Sequence, residues 1–191
     1  MLTRLTLRLT FVTSLVVLGL FTGVMTGYAS RVSSHSAKTF HFSQVDQFAG
    51  HYVLIRDQSE DLKQAINRAT DTLNFVLRPI ARRQLRQRVV LYPSFAMGRE
   101  GESFRTSLAS KVTLSLPLSG TTVLWRAPFG EVVQARLRPG PELMEIFEMK
   151  RGHCEHLFRL SPDRRLLTVD VRITSNELPR PVEYRLVYRR A

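Results

Sequence analysis

Over most of the chain after Arg88, apolar residues alternate with polar ones. The clearest case is LLTVDVRIT, residues 166–174, in which Leu167, Val169, Val171 and Ile173 fall on one face and Thr168, Asp170 and Arg172 on the other. A period of two is that of a half-buried strand, because successive side chains leave a pleated backbone on opposite sides. Nine such segments follow one another, at 88–98, 102–110, 111–120, 121–128, 131–139, 142–150, 153–161, 165–175 and 182–190. Most are bounded by Gly, Pro, Ser or Asp, and SPDRR (161–165) and APFG (127–130) read as hairpin turns. A tenth strand, QFAGHYVLIR at 47–56, precedes them; its Val53 and Ile55 suit a pleated surface.

Between the first strand and the rest the period changes. In SEDLKQAINRATDTLNFVL, residues 59–77, Leu62, Ala65, Ile66, Ala69, Leu73 and Val76 recur at spacings of three and four, which predicts an amphipathic helix. Ser59 is placed to cap it, and Glu60 and Asp61 stand where the helix dipole favours negative charge. Arg78 before Pro79 breaks that helix and starts a second one. On it Ile80 and Leu85 are expected to pack inward, and Arg78, Arg82 and Arg86, four apart, share a face. The expected fold is therefore mainly β, a ten-stranded antiparallel up-and-down barrel with a helix-turn-helix inserted after the first strand. Closure into a barrel removes the exposed edges of a meander.

The beginning of the chain has a different character. Arg4 and Arg8 precede an apolar run at 9–25, followed by small residues with Gly27 and Ala29 at the positions a signal peptidase requires. Residues 1–29 thus read as a signal peptide, with the mature chain beginning near Ser30. The competing reading is an uncleaved anchor, since about 17 apolar residues is the lower limit for a membrane span. Residues 30–46 are serine-rich and read as a tether, and 47–191 as the barrel domain. Either way the expected location is the periplasm or the exterior. Cys154, the single cysteine, cannot make an internal disulfide, so the fold must hold without one. The net charge is +12, and losing Arg4 and Arg8 leaves +10. Outside the cytoplasm such a charge points to acidic lipid head groups, fatty acids or envelope polymers rather than nucleic acid, and no base-stacking platform accompanies it.

One strand, a helix pair and nine strands is the element order of the fatty-acid-binding-protein branch of the calycins. QFAGHYVL resembles that family's opening pattern of an aromatic, a glycine and a second aromatic. HLFRLSPDRRLLTVDV is similar to its run of two apolar residues, an arginine, an Asp-containing turn and a strand of alternating aliphatics. The chain also closes, like the family, on a strand with a tyrosine before a basic end. The resemblance spans about 47–191 and points to a secreted bacterial relative. It implies a cavity for a fatty acid or similar amphiphile, with the helix pair as lid. In that family two arginines and a tyrosine hold the carboxylate. The first arginine falls on Arg159 and the tyrosine on Tyr188, whereas the second arginine falls on Leu186.

Alternation leaves the direction of Arg159 open, because Leu157 shares its face while Phe158 and Leu160 share the other. Inward, it would be a carboxylate ligand; outward, a solvated strand residue. The arginines Arg78, Arg82 and Arg86 are either a docking surface for an anionic membrane or a solvated helix face. HCEH at 153–156 suggests a metal or haem site. On a strand, however, 153 and 155 face away from 154 and 156, so no more than two of the four converge. Trp125 reads as core or cavity wall. There is no nucleophile elbow, phosphate loop or zinc-protease motif, and no cofactor or enzyme activity is expected. The functional expectation is an exported binding protein for a hydrophobic or amphipathic ligand; the alternative is an envelope interaction or inhibitor protein whose barrel is packed solid.

Overall fold

In the computed structural model, the described residues are 43–191, apart from 90, 109–111, 139 and 141. The signal-peptide reading of 1–29 and nearly all of the tether lie outside them. A short helix α1 (Ser43–Asp46) is followed by strand β1 (Gly50–Leu54), a 3-10 turn (Arg56–Gln58) and helices α2 (Leu62–Thr70) and α3 (Leu77–Arg88). Nine strands then run to the end: β2 (Ser94–Glu100), β3 (Ser103–Leu108), β4 (Val112–Pro117), β5 (Val123–Arg126), β6 (Val132–Arg138), β7 (Leu143–Met149), β8 (Gly152–Leu160), β9 (Leu166–Ser175) and β10 (Val182–Arg190). The expected ten strands and inserted helix pair are present. Val45 of α1, within the segment read as a tether, is buried against the core.

All ten strands form one sheet in the order β4-β3-β2-β1-β10-β9-β8-β7-β6-β5. Every sheet pairing is antiparallel, and β1 joins β10 with Leu54 opposite Tyr188. The sheet curls into a nearly closed barrel. At the remaining seam between β4 and β5, Trp125 donates its indole N–H to the Thr113 carbonyl at 3.2 Å. Turn chemistry follows the sequence. Gly130 sits at φ 88° in the 127–130 turn, where a side chain would be strained, and Arg164 takes φ 58° in the 161–165 turn. Gly152 begins β8 instead of forming the turn before it. A Cβ there would meet the Thr174 carbonyl at 2.4 Å, so the two backbones approach closely only because the residue is glycine.

The barrel is filled at one end and open at the other. Tyr52, Phe104, Leu116, Leu137, Leu143 and Leu167 are almost fully buried and pack the end nearest α1. Arg190 locks that end, donating to the Gln47 and Ala49 carbonyls and to the Tyr52 hydroxyl. The helices cover the open end.

Their boundaries differ from the sequence expectation. Asp61, not Ser59, caps α2 by accepting from the Lys63 N–H, while the Ser59 hydroxyl accepts from the Val187 N–H on β10. Helix α2 ends at Thr70, several residues early. The Asn74 side chain then accepts from the N–H groups of Val76 and Leu77 and starts α3 before Pro79, which a first helical turn tolerates.

Candidate functional site: a polar band inside the barrel

Beneath α3 lies a cavity of about 660 Å³. Its wall is apolar and aromatic, with Phe95, Trp125, Phe147, Phe158, Val169 and Leu186 all contributing. A volume of this size lies within the ~300–1,000 Å³ usual for small-molecule sites.

One level of this wall is polar. In the β7–β8 hairpin, Glu145 stands opposite His156. Across β9, Val171 separates His156 from Tyr184. Glu145 is only 2% exposed. A carboxylate so deep requires partners, and it has two: the Thr106 hydroxyl, reaching across the interior from β3, donates at 2.7 Å, and His156 Nδ1 lies 3.4 Å from the other oxygen. The His156 side chain keeps 30% of its surface accessible, facing the cavity. Its ring packs beside those of Phe147, 5.0 Å away, and Phe158.

Burial disfavours the charged form of His156. The Cys154 sulfur and the Glu145 carboxylate outweigh it and raise the imidazole pKa to about 10, so the ring is an imidazolium at neutral pH. Burial likewise raises the Tyr184 hydroxyl well above the ordinary phenol range. That hydroxyl opens onto the cavity and has no hydrogen-bond partner among the described residues.

The residues expected from the sequence are dispersed. Leu186 and Trp125 line the cavity. Tyr188 also lines it, but its hydroxyl donates to the Tyr92 carbonyl at 3.2 Å and is thus committed to the main chain. Arg159 must be corrected. It pairs with Thr168 on the polar face of β9 and points out of the barrel, where it forms ion pairs with Glu142 and Asp170. Those carboxylates raise its pKa further, the Glu142 hydrogen bond contributing most. It cannot reach a ligand inside. The HCEH residues split as strand geometry requires: Cys154 and His156 face the cavity, while His153 sits between Glu148 and Glu155.

The lid residues also sort differently. Arg78 donates two hydrogen bonds to the Leu73 carbonyl, and Arg82 donates to the buried Thr70 hydroxyl, so both turn back onto the end of α2. A cation there meets the negative end of the helix dipole. Arg86 is exposed and donates to the Arg82 carbonyl. Ile80, expected to pack inward, is 51% exposed, because the face bearing Arg78, Ala81, Arg82 and Leu85 is the one turned toward the protein.

No family model matches the chain, and no curated protein does. Solved structures do. A secretary abundant heat soluble protein from Ramazzottius varieornatus superposes with a TM-score of 0.53 at 11% identity, over 76% of this chain and 96% of that one. A Schistosoma mansoni fatty acid binding protein in complex with arachidonic acid gives 0.49 at 13% identity, over 78% and 98%. The REP1-NXSQ fatty acid transporter gives 0.47 at 13%, over 75% and 95%. Ten antiparallel strands with a helix pair after the first are the fold this chain shares with the Ramazzottius protein. At these identities the likeness concerns fold.

Proposed function

We propose that this chain is an exported, non-catalytic carrier that holds a hydrophobic or amphipathic molecule in its barrel. The observation that carries this reading is the cavity itself: about 660 Å³ with an aromatic and aliphatic wall inside a sheet whose other end is fully packed. A barrel serving only as an interaction scaffold would bury the same side chains against one another, since unfilled interior space forfeits packing energy. Fatty acids are bound by proteins of like fold, which supports a lipid-like cargo. Export to the periplasm or exterior rests on the charged, apolar and small-residue pattern of 1–29.

Cargo exchange would take place at an anionic membrane. Phe75, Val76, Leu77 and Ile80 are exposed at the α2–α3 turn, Phe75 by 85%, and Arg83 and Arg86 are exposed beside them. Apolar residues flanked by arginines suit an acidic lipid surface, with about 1 kcal/mol per basic residue available. This surface replaces the expected stripe, from which Arg78 and Arg82 have turned away.

Uptake of Nile red, an uncharged dye, tests the carrier reading, together with mass spectrometry of lipids extracted from the purified protein. The dye should partition into the wild type, and Val169→Trp, which fills the cavity, should exclude it. A wild type that takes up no dye and yields no lipid is the packed barrel instead. For the membrane, flotation with phosphatidylglycerol vesicles should fall on Phe75→Ser with Ile80→Ser and weaken as salt rises above ~0.1 M.

A further inference from the structure

The polar band at the level of Glu145 lies among the aromatic and aliphatic residues of the cavity wall, and its donors converge. Both oxygens of Glu145 are engaged, one by the Thr106 hydroxyl and one by His156 Nδ1. That leaves the Tyr184 O–H, on a strand separated from β8 only by β9, as a donor facing the cavity, while the imidazolium also hydrogen-bonds the Cys154 side chain beside it. Sulfur is a weaker acceptor than oxygen, so a ligand oxygen can take the place of Cys154 at the second ring N–H.

We propose that Glu145, His156 and Tyr184 form a head-group site for an uncharged oxygen acceptor, the carbonyl of an ester, ketone, aldehyde or amide on an amphiphile, in preference to a carboxylate. The proposal rests on the carrier reading and adds the class of cargo. Its reason is charge balance. The cation that could neutralise a carboxylate inside the barrel is already neutralised by Glu145, and Arg159 lies outside. A bound carboxylate would bring a second negative charge into a low-dielectric space without a counter-ion. A carbonyl accepts the same two donors with no charge to bury. The raised pKa of His156 supports its role as a donor. Arg88 and Lys150 line the mouth of the cavity, so an acid could also bind with its head outward; the experiment separates the two poses.

Nile red is loaded into the full mature protein and displaced at about pH 8, where a carboxylic acid is fully ionised, by dodecane, methyl dodecanoate or dodecanoate. Methyl dodecanoate should displace the dye at about tenfold lower concentration than dodecanoate. His156→Phe should bring the ester down to the level of dodecane and leave dodecane unchanged. Tyr184→Phe, which removes a single oxygen, should do so in part and serves where the histidine variant does not fold. Glu145→Gln keeps an acceptor for Thr106 but releases the imidazolium from its counter-ion, and should shift the ranking toward the acid by about tenfold. Tighter binding of dodecanoate than of the ester by the wild type overturns the proposal. So does loss of dodecanoate binding in Arg88→Gln with Lys150→Gln when His156→Phe has no effect on the ester. Dye uptake with no discrimination overturns this inference alone, whereas no uptake overturns the carrier reading with it.

Discussion

Strands β7 to β10 carry ion pairs on both faces, and the two sets are held in opposite ways. Outside, Asp170 bridges Arg159 and Arg185, and Glu142 adds a second partner to Arg159 at 2.5 Å. These side chains are wetted, about half exposed for Arg185 and less for Asp170, so water and salt share the work of solvating them. Inside, one carboxylate and one imidazolium face each other, with Thr106 beside the carboxylate and Cys154 beside the ring. Geometric quality does not rank them, since the outer contacts are the shorter ones. What ranks them is the cost of leaving a partner alone, which is small in water and large in the barrel.

Removing one partner should therefore have its greatest effect inside. Glu145→Ala leaves the His156 charge and the Thr106 hydroxyl uncompensated and should cost roughly 3–5 kcal/mol, measured by urea denaturation. Replacing both members, Glu145→Leu with His156→Phe, should recover most of that loss, because a packed apolar pair of similar volume is often as stable as a buried ion pair. A double variant as unstable as the single one would show that the band is indispensable to the fold itself.

Proton linkage separates the faces next. His156 has a folded pKa near 10, above its ordinary 6.5, so its contribution to stability is complete below pH 6.5 and is lost as pH rises toward 10. His153, raised as well because its hydrogen bonds to Glu155 and Glu148 outweigh burial, acts with the same sign. Stability should decline through this window by up to about 1.4 kcal/mol per pH unit for each proton bound preferentially by the folded state. His156→Gln should flatten most of the slope. A wild type equally stable at both ends of the window would mean that the imidazole is neutral inside the barrel.

The strands were legible because β9 alternates cleanly: Leu167, Val169 and Val171 are buried on the inner face, as their spacing implies. Arg159 was not legible. Leu157 shares its face while Phe158 and Leu160 share the other, so the alternation around it gives the guanidinium no direction. The partner of His156 was hidden for a related reason. In β7, Leu143, Met144, Ile146 and Phe147 are all buried, so alternation gives no face to Glu145. One signal was available: a two-residue turn at Lys150 and Arg151 places 149 opposite 152, and hence 145 opposite 156. The exposed Ile80 depends on where α2 stops, and helix ends are set by capping contacts that periodicity does not register.

The smallest effect is expected at the residue the family resemblance singled out. Arg159 is 41% exposed in its side chain, and Asp170 retains Arg185 when Arg159 is removed. Arg159→Gln should then cost about 0.2–1 kcal/mol, the range of solvent-screened pairs, and the cost should shrink as salt rises. The inner pair, shielded from mobile ions, should show far less salt dependence. Displacement of Nile red by dodecanoate and by its methyl ester should be unchanged, since no atom of Arg159 faces the cavity. A selective loss of dodecanoate binding in this variant would place the guanidinium inside the barrel and require the 161–165 turn to adopt a register shifted by one residue.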